Sequence, residues 1–151
     1  MCICIGPAGS GLVSGMALLL SIPALPVQSI PEAIAFYRDR FGFVTGHQDT
    51  DFAIVNRDAV ELHLWGASDQ SWPKRLGRGH PVRSGAESFI AGTASCRIQA
   101  DDVDALYDEF AAAQVLHPTD NGSAVDTEWG TREFATLDLE GNLLTFFKRT
   151  G

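Results

Sequence analysis

Cysteine is scarce, with Cys2, Cys4 and Cys96 the three in the chain. Three thiols cannot pair into a disulfide framework, so the fold must rest on a packed core. That usage fits a reducing cytoplasm, the compartment expected for this chain. Basic residues are also few: 11 Lys and Arg stand against 19 Asp and Glu, a net charge of −8. Binding nucleic acid needs clustered cations that neutralise phosphates, and this balance argues against such a partner. The same acidity attracts cationic small molecules, or serves solubility alone. The apolar stretch 11–20 falls short of the roughly 18 residues of a membrane span, so no membrane partner is expected. No Lys or Arg precedes Arg38, which leaves a secretory signal without its basic start. Nucleotide-binding glycine motifs and the H-x-x-x-H and H-E-x-x-H spacings are absent.

What is present is an ordinary globular balance. A hydrophobic content of 45% over 151 residues suffices for one domain with a real core. Residues 1–15 are expected to be a disordered tail or an upstream start, because Met16 opens a more domain-like stretch; the domain is 16–151. Within it the chain repeats itself weakly. Val27-Gln28-Ser29-Ile30 opens one helix and Ala100-Asp101-Asp102-Val103 another, with Ser29 and Asp102 as N-caps and Glu32 completing a capping box. Ile30, Ala33, Ile34 and Tyr37 form one apolar stripe, and Val103, Leu106, Tyr107 and Phe110 form its counterpart. Gly42 stops the first helix. Strands are expected at 22–27, 43–47, 52–56 and 60–65, then at 94–100, 115–117, 131–137 and 143–148. The order β-α-β-β-β thus occurs twice, giving an α+β fold. Module one is 21–66, the connecting loop 67–92 and module two 93–149.

One phrase is more specific. Trp129-Gly130 leads into Arg132-Glu133-Phe134, and Asp138 with Gly141-Asn142 makes the following turn. The whole pattern, W-G-x-R-E-F-x-x-x-D-x-x-G-N, resembles the last hairpin of bleomycin-resistance proteins in the vicinal oxygen chelate superfamily. Phe36-Tyr37 and Phe41-Gly42-Phe43 resemble that family's first helix end. Asp51-Phe52-Ala53 with Arg57-Asp58 resembles its aspartate–phenylalanine strand, and Asp69-Gln70 with Pro73 the loop after its fourth strand. The likeness covers about residues 21–149. It implies paired βαβββ units curling into a mixed-sheet cup, in a homodimer that commonly exchanges strands between chains.

The superfamily includes both drug-sequestering binders and metalloenzymes. In its enzymes four ligands, typically His, Gln or Glu, come from the first and last strands of both units. Laid on this repeat, those positions are Ile22, Glu61, Ser95 and Thr145. Only Glu61 is a conventional ligand, and one carboxylate does not hold a catalytic metal. No metal and no cofactor are therefore expected. His63 shares a strand face with Glu61 and is the one local pair to weigh as a site. His47, His80 and His117 fall in or beside loops.

Without a metal, stacking and charge remain. The resemblance places Phe52 and Trp129 on opposite sides of a ligand groove, where they would sandwich a flat heteroaromatic tail. By periodicity alone Phe52 and Trp65 also read as core residues. Trp72, before Pro73 in a polar loop, is a further groove candidate. Asp49, Asp51 and Glu61 would meet a cationic tail, or stand solvated. Lys74, Arg75, Arg78 and Arg83 in the connecting loop would oppose that attraction. The expected function is metal-independent sequestration of a bleomycin-type glycopeptide antibiotic, with no catalytic residue. The alternative is a metal-dependent lyase, isomerase or dioxygenase of the same superfamily using Glu61 and His63.

Overall fold

The computed structural model describes residues 15–67 and 90–151. The expectations for residues 1–14 and for most of the connecting loop, Trp72 among them, lie outside those residues. Ten elements follow the doubled order. Module one holds β1 (Ala24–Val27), α1 (Ile30–Phe41), β2 (Val44–Gln48), β3 (Phe52–Arg57) and β4 (Val60–Gly66). Module two holds β5 (Ser95–Gln99), α2 (Val103–Ala112), β6 (Val125–Asp126), β7 (Thr131–Leu137) and β8 (Leu143–Arg149).

Local chemistry accounts for the helices. Ser29 accepts a hydrogen bond from the Glu32 backbone, and Asp102 accepts one from Ala105, each satisfying a free N–H of a first turn. Gly42 ends α1 at φ 71°, a left-handed conformation that costs a residue with a Cβ. The stripe Ile30, Ala33, Ile34 and Tyr37 is buried, as are Val103, Tyr107 and Phe110; Leu106 is half-buried at its edge.

Each module forms a mixed four-stranded sheet, ordered β1-β4-β3-β2 in the first and β5-β8-β7-β6 in the second. In both, the outer strand before the helix pairs in parallel with the last strand of the module. The edge strand expected at 115–117 is reduced to one bridge, Leu116 to Thr136. Pro118 lacks the N–H that would continue the ladder. The chain leaves the sheet there and returns as β6, opposite Arg132 and Glu133.

One core joins the modules. Phe41 of α1 meets Phe110 of α2 at 5.1 Å, and Phe110 meets Phe146 of β8 at 4.9 Å. Polar contacts cross in reciprocal fashion. Arg57, at the turn of module one, pairs with Glu109 of α2 and donates to the Phe41 carbonyl. Asp138, at the turn of module two, accepts from Tyr37 of α1. Helices and turns thus bind the modules together, while among the described residues no helix covers the far face of either sheet.

Candidate functional site

Side chains alternate across a strand, so burying one face commits the other outward. On β3 and β4, Ala53, Val55, Leu62 and Leu64 enter the core. Phe52, Ile54, Glu61, His63 and Trp65 consequently stand half-buried on the open face. Phe52 and Trp65, whose positions also fitted a core role, belong here instead. Register sets Phe52 opposite Trp65 and Ile54 opposite His63. The Phe52 ring centroid lies 4.5 Å from Trp65, 5.0 Å from His63 and 5.8 Å from His47. These spacings are those of tilted and edge-to-face aromatic pairs, so the four rings form one platform. The Trp65 indole Nε1 is buried without an acceptor among the described residues.

Three carboxylates lie near this platform in different circumstances. His63 Nε2 lies 2.7 Å from Glu61 Oε1; an ionised carboxylate carries no proton, so the imidazole donates. Asp49 accepts the Asp51 backbone N–H at 2.9 Å and lies 3.4 Å from His47 Nε2. The Asp51 N–H, with His47 assisting, holds the Asp49 carboxyl below the usual carboxylate range. Asp49 therefore shapes the β2–β3 turn as well as charging it. Asp51 is exposed, and its carbonyl accepts from Gly66, tying that turn to the end of β4.

Trp129 lies on the other sheet, in the turn joining β6 to β7. It is 68% exposed, and its indole N–H donates to Glu133 at 3.4 Å. Arg97 and the Thr131 hydroxyl also bind Glu133, and Arg97 is the main cause of that carboxyl's depressed pKa. Arg97 also lies over Phe147 at 4.9 Å, with Arg149 at 5.9 Å, within cation–π range. A cavity of about 220 Å³ opens on this face among His117, Asp120, Val125, Glu133, Ala135 and Thr145. Neither Arg97 nor Phe147 stands out in the sequence as a site residue. Their signal was the period-two pattern, which puts Glu133 opposite Phe147.

The structure therefore brings Phe52, Trp65 and Glu61 together on one sheet, beside the turn carrying Asp49 and Asp51, and sets Trp129 on the second. A cavity of about 550 Å³ borders Pro31, Gln48, Asp49 and Thr50 at the β2–β3 turn, and two further cavities lie elsewhere. One of about 710 Å³ borders Arg38, Arg40, Asn56 and Arg57; one of about 430 Å³ lies between Asp58, Asp101, Asp102 and Leu106. Neither is lined by the platform rings, and much of their charge is already paired, as in Arg57 with Glu109.

The residues at the superfamily's metal positions do not fit a metal. Ile22 offers no donor, Ser95 and Thr145 offer neutral hydroxyls, and the Glu61 carboxylate is engaged by His63. Among the described residues no three His, Cys, Asp or Glu side chains converge. Cys96 is no substitute: burial, and then the Asp138 carboxylate, push its thiol up to about 11.

Known proteins share both this sequence and this architecture. The chain is 46% identical over 132 residues to the bleomycin resistance protein of Geobacillus stearothermophilus, covering 87% of this chain and 98% of the relative. The bleomycin resistance protein of Staphylococcus aureus matches to the same extent. A solved bleomycin-binding protein from bleomycin-producing Streptomyces verticillus, complexed with copper(II)-bleomycin, superposes with TM-score 0.64 at 27% identity. That match covers 90% of this chain and 98% of the solved one. The resistance determinant encoded on transposon Tn5 shares the fold at TM-score 0.62 and 20% identity, covering 87% and 98% of the two chains. The family described as Glyoxalase/Bleomycin resistance protein/Dioxygenase superfamily matches residues 19–146, and the chain belongs to it.

Proposed function

We propose that the protein binds a bleomycin-type glycopeptide antibiotic and holds it unmodified, conferring resistance by sequestration. The near-full-length identity to bleomycin resistance proteins carries this reading, and the Phe52–Trp65 platform supplies its chemistry. Flat, rigid rings give a large contact area at little entropic cost. Glu61, Asp49 and Asp51 beside them complement a cationic ligand. No step makes or breaks a covalent bond, and the donor set at Ile22, Glu61, Ser95 and Thr145 gives no support to the metalloenzyme alternative.

The grooves are read as shared between two chains. Phe52 and Trp129 occupy different sheets, so a sandwich between them uses the first sheet of one copy and the second sheet of its partner. Charge supports that pairing, because the first face carries Glu61 and the second carries Arg97 and Arg149. Leu18, Leu19 and Leu20 are 76–103% exposed, apolar surface of the kind that a second chain covers. Among the described residues no helix is long and apolar enough to cross a membrane, in keeping with a cytoplasmic binder of small molecules.

Tryptophan fluorescence titration with bleomycin tests the reading, on metal-stripped protein and again with added divalent ions. Saturable quenching at micromolar drug or below without metal, about −8 kcal/mol or better, is the expected result. No response in either state would overturn it.

A further inference from the structure

We propose that Glu133 is a positioning residue of the second sheet: braced by Arg97 and Thr131, it holds the Trp129 ring in its ligand-stacking orientation before a ligand arrives. The inference rests on the sequestration reading and adds to that site a residue that acts through another. Strand alternation puts Thr131 and Glu133 on one face of β7 and Arg132 on the other. Arg132 turns toward α2, where it binds Asp104, with Asp126 of β6 beside it. Glu133 turns to the opposite face, its side chain 13% exposed. There Arg97 Nη2 donates to Glu133 Oε2 at 2.5 Å, and Arg97 Nη1 to Oε1 at 3.4 Å. The Thr131 hydroxyl donates to the same Oε2 at 2.6 Å.

The backbone under Trp129 is fixed independently. The Thr127 N–H donates to the Thr131 carbonyl at 2.7 Å, and the Gly130 N–H to the Thr127 carbonyl at 3.3 Å. Gly130 takes φ 79°, and its carbonyl accepts from the Thr150 N–H at 3.0 Å. The freedom left to Trp129 is that of its side-chain torsions. Its 68% exposure means that packing does little to choose among their rotamers. The polar contact that does so is the indole N–H donating to Glu133 Oε2 at 3.4 Å. A carboxylate paired with Arg97 is ionised and only accepts, so it takes this N–H without a competing donor of its own. The N–H lies in the ring plane; the bond therefore uses an edge of the indole and leaves its faces for stacking. A ring already oriented loses less conformational freedom on binding, and that saving appears as affinity.

The test begins without ligand, on the full chain. Indole nitrogen NMR relaxation, with the Trp129 signal identified by its loss in Trp129→Ala, reads the order parameter of the ring. Wild type is expected near about 0.8, as in rigid backbone, and Glu133→Leu below about 0.6. Glu133→Gln keeps an oxygen acceptor and should restore the wild-type value. Glu133→Asp keeps the charge but draws it back by one methylene, and should free the ring even if Glu133→Leu does not fold. Calorimetric titration with metal-free bleomycin then reads affinity. Glu133→Leu is expected to bind about three- to tenfold more weakly, and Glu133→Gln within about twofold of wild type. In a Trp129→Ala background, Glu133→Leu should cost nothing further. A ring as ordered in Glu133→Leu and Glu133→Asp as in wild type would overturn the positioning role. So would a loss of affinity that persists in the Trp129→Ala background, which would make Glu133 a direct ligand contact. Absence of wild-type binding would overturn the sequestration reading itself, and the order parameters, which need no ligand, tell the two failures apart.

Discussion

The Tyr37 hydroxyl donates to Asp138 Oδ2 at 2.9 Å, joining the first helix to the last hairpin turn across 101 positions of sequence. The bond is buried, and the same carboxylate oxygen accepts from Asn142 Nδ2 at 2.9 Å. Asn142 Nδ2 in turn donates to the Pro26 carbonyl, and its Oδ1 accepts from the Ala94 backbone. Asp138 Oδ1 receives the N–H groups of Glu140 and Asn142. Gly141 closes this turn at φ 98°, a conformation that side-chain-bearing residues avoid. The Asp-x-x-Gly-Asn motif is therefore the knot between modules, and its role is architectural.

Tyr37→Phe removes one bond of that knot and leaves the ring packing intact. The expected loss is about 1–3 kcal/mol in urea unfolding at neutral pH. Burial, and then the Asp138 charge, push the Tyr37 hydroxyl well above its ordinary value. The unfolded chain therefore releases this proton first, near pH 10. Stability is full below that pH and falls as pH rises above it. Tyr107, pushed up to about 12 chiefly by its hydrogen bond to Asp120, acts with the same sign. The alkaline slope should thus diminish in Tyr37→Phe without vanishing.

Asn142→Ala strands three partners at once: the Pro26 carbonyl, the Ala94 N–H and part of the Asp138 carboxylate. A loss of about 3 kcal/mol or more is expected, larger than that of Tyr37→Phe. Chemical denaturation of both variants under one condition checks the order.

Trp129→Ala should weaken bleomycin binding by about tenfold or more, and by more than Trp65→Ala does. The exposed indole of Trp129 contributes little to folding, so its urea midpoint should stay near wild type. Trp65 packs on Phe52, and its truncation should lower stability as well. Equal losses of affinity, or none, would count against the paired-sheet groove.

Cys96 should be a slow thiol. With its pKa raised to about 11, its thiolate fraction at pH 8 is lower than that of a free thiol by about 100-fold. Maleimide labelling of the Cys2→Ser, Cys4→Ser double variant measures this directly. Labelling at the rate of free cysteine would show that the site opens to water.

Much of this molecule was legible because it depends on near neighbours in the chain. Caps at Ser29 and Asp102, the stop at Gly42 and the apolar stripes of the two helices all act within a few residues. The doubled β-α-β-β-β order followed from them. Periodicity also allowed a core role for Phe52 and Trp65, however, and the packing of the sheet set them outward. The broken edge at Pro118 was missed because a strand of three residues owes its existence to the ladder beside it. Other features depend on groups distant in sequence, which no local pattern constrains. Tyr37 meeting Asp138, Arg97 holding the carboxylate that anchors Trp129, and His47 and His63 flanking one ring are decided only when two sheets and two helices close on a common core. Phe52 and Trp129 are proposed for the groove from the family resemblance, whereas their division between two sheets is a property of the packing.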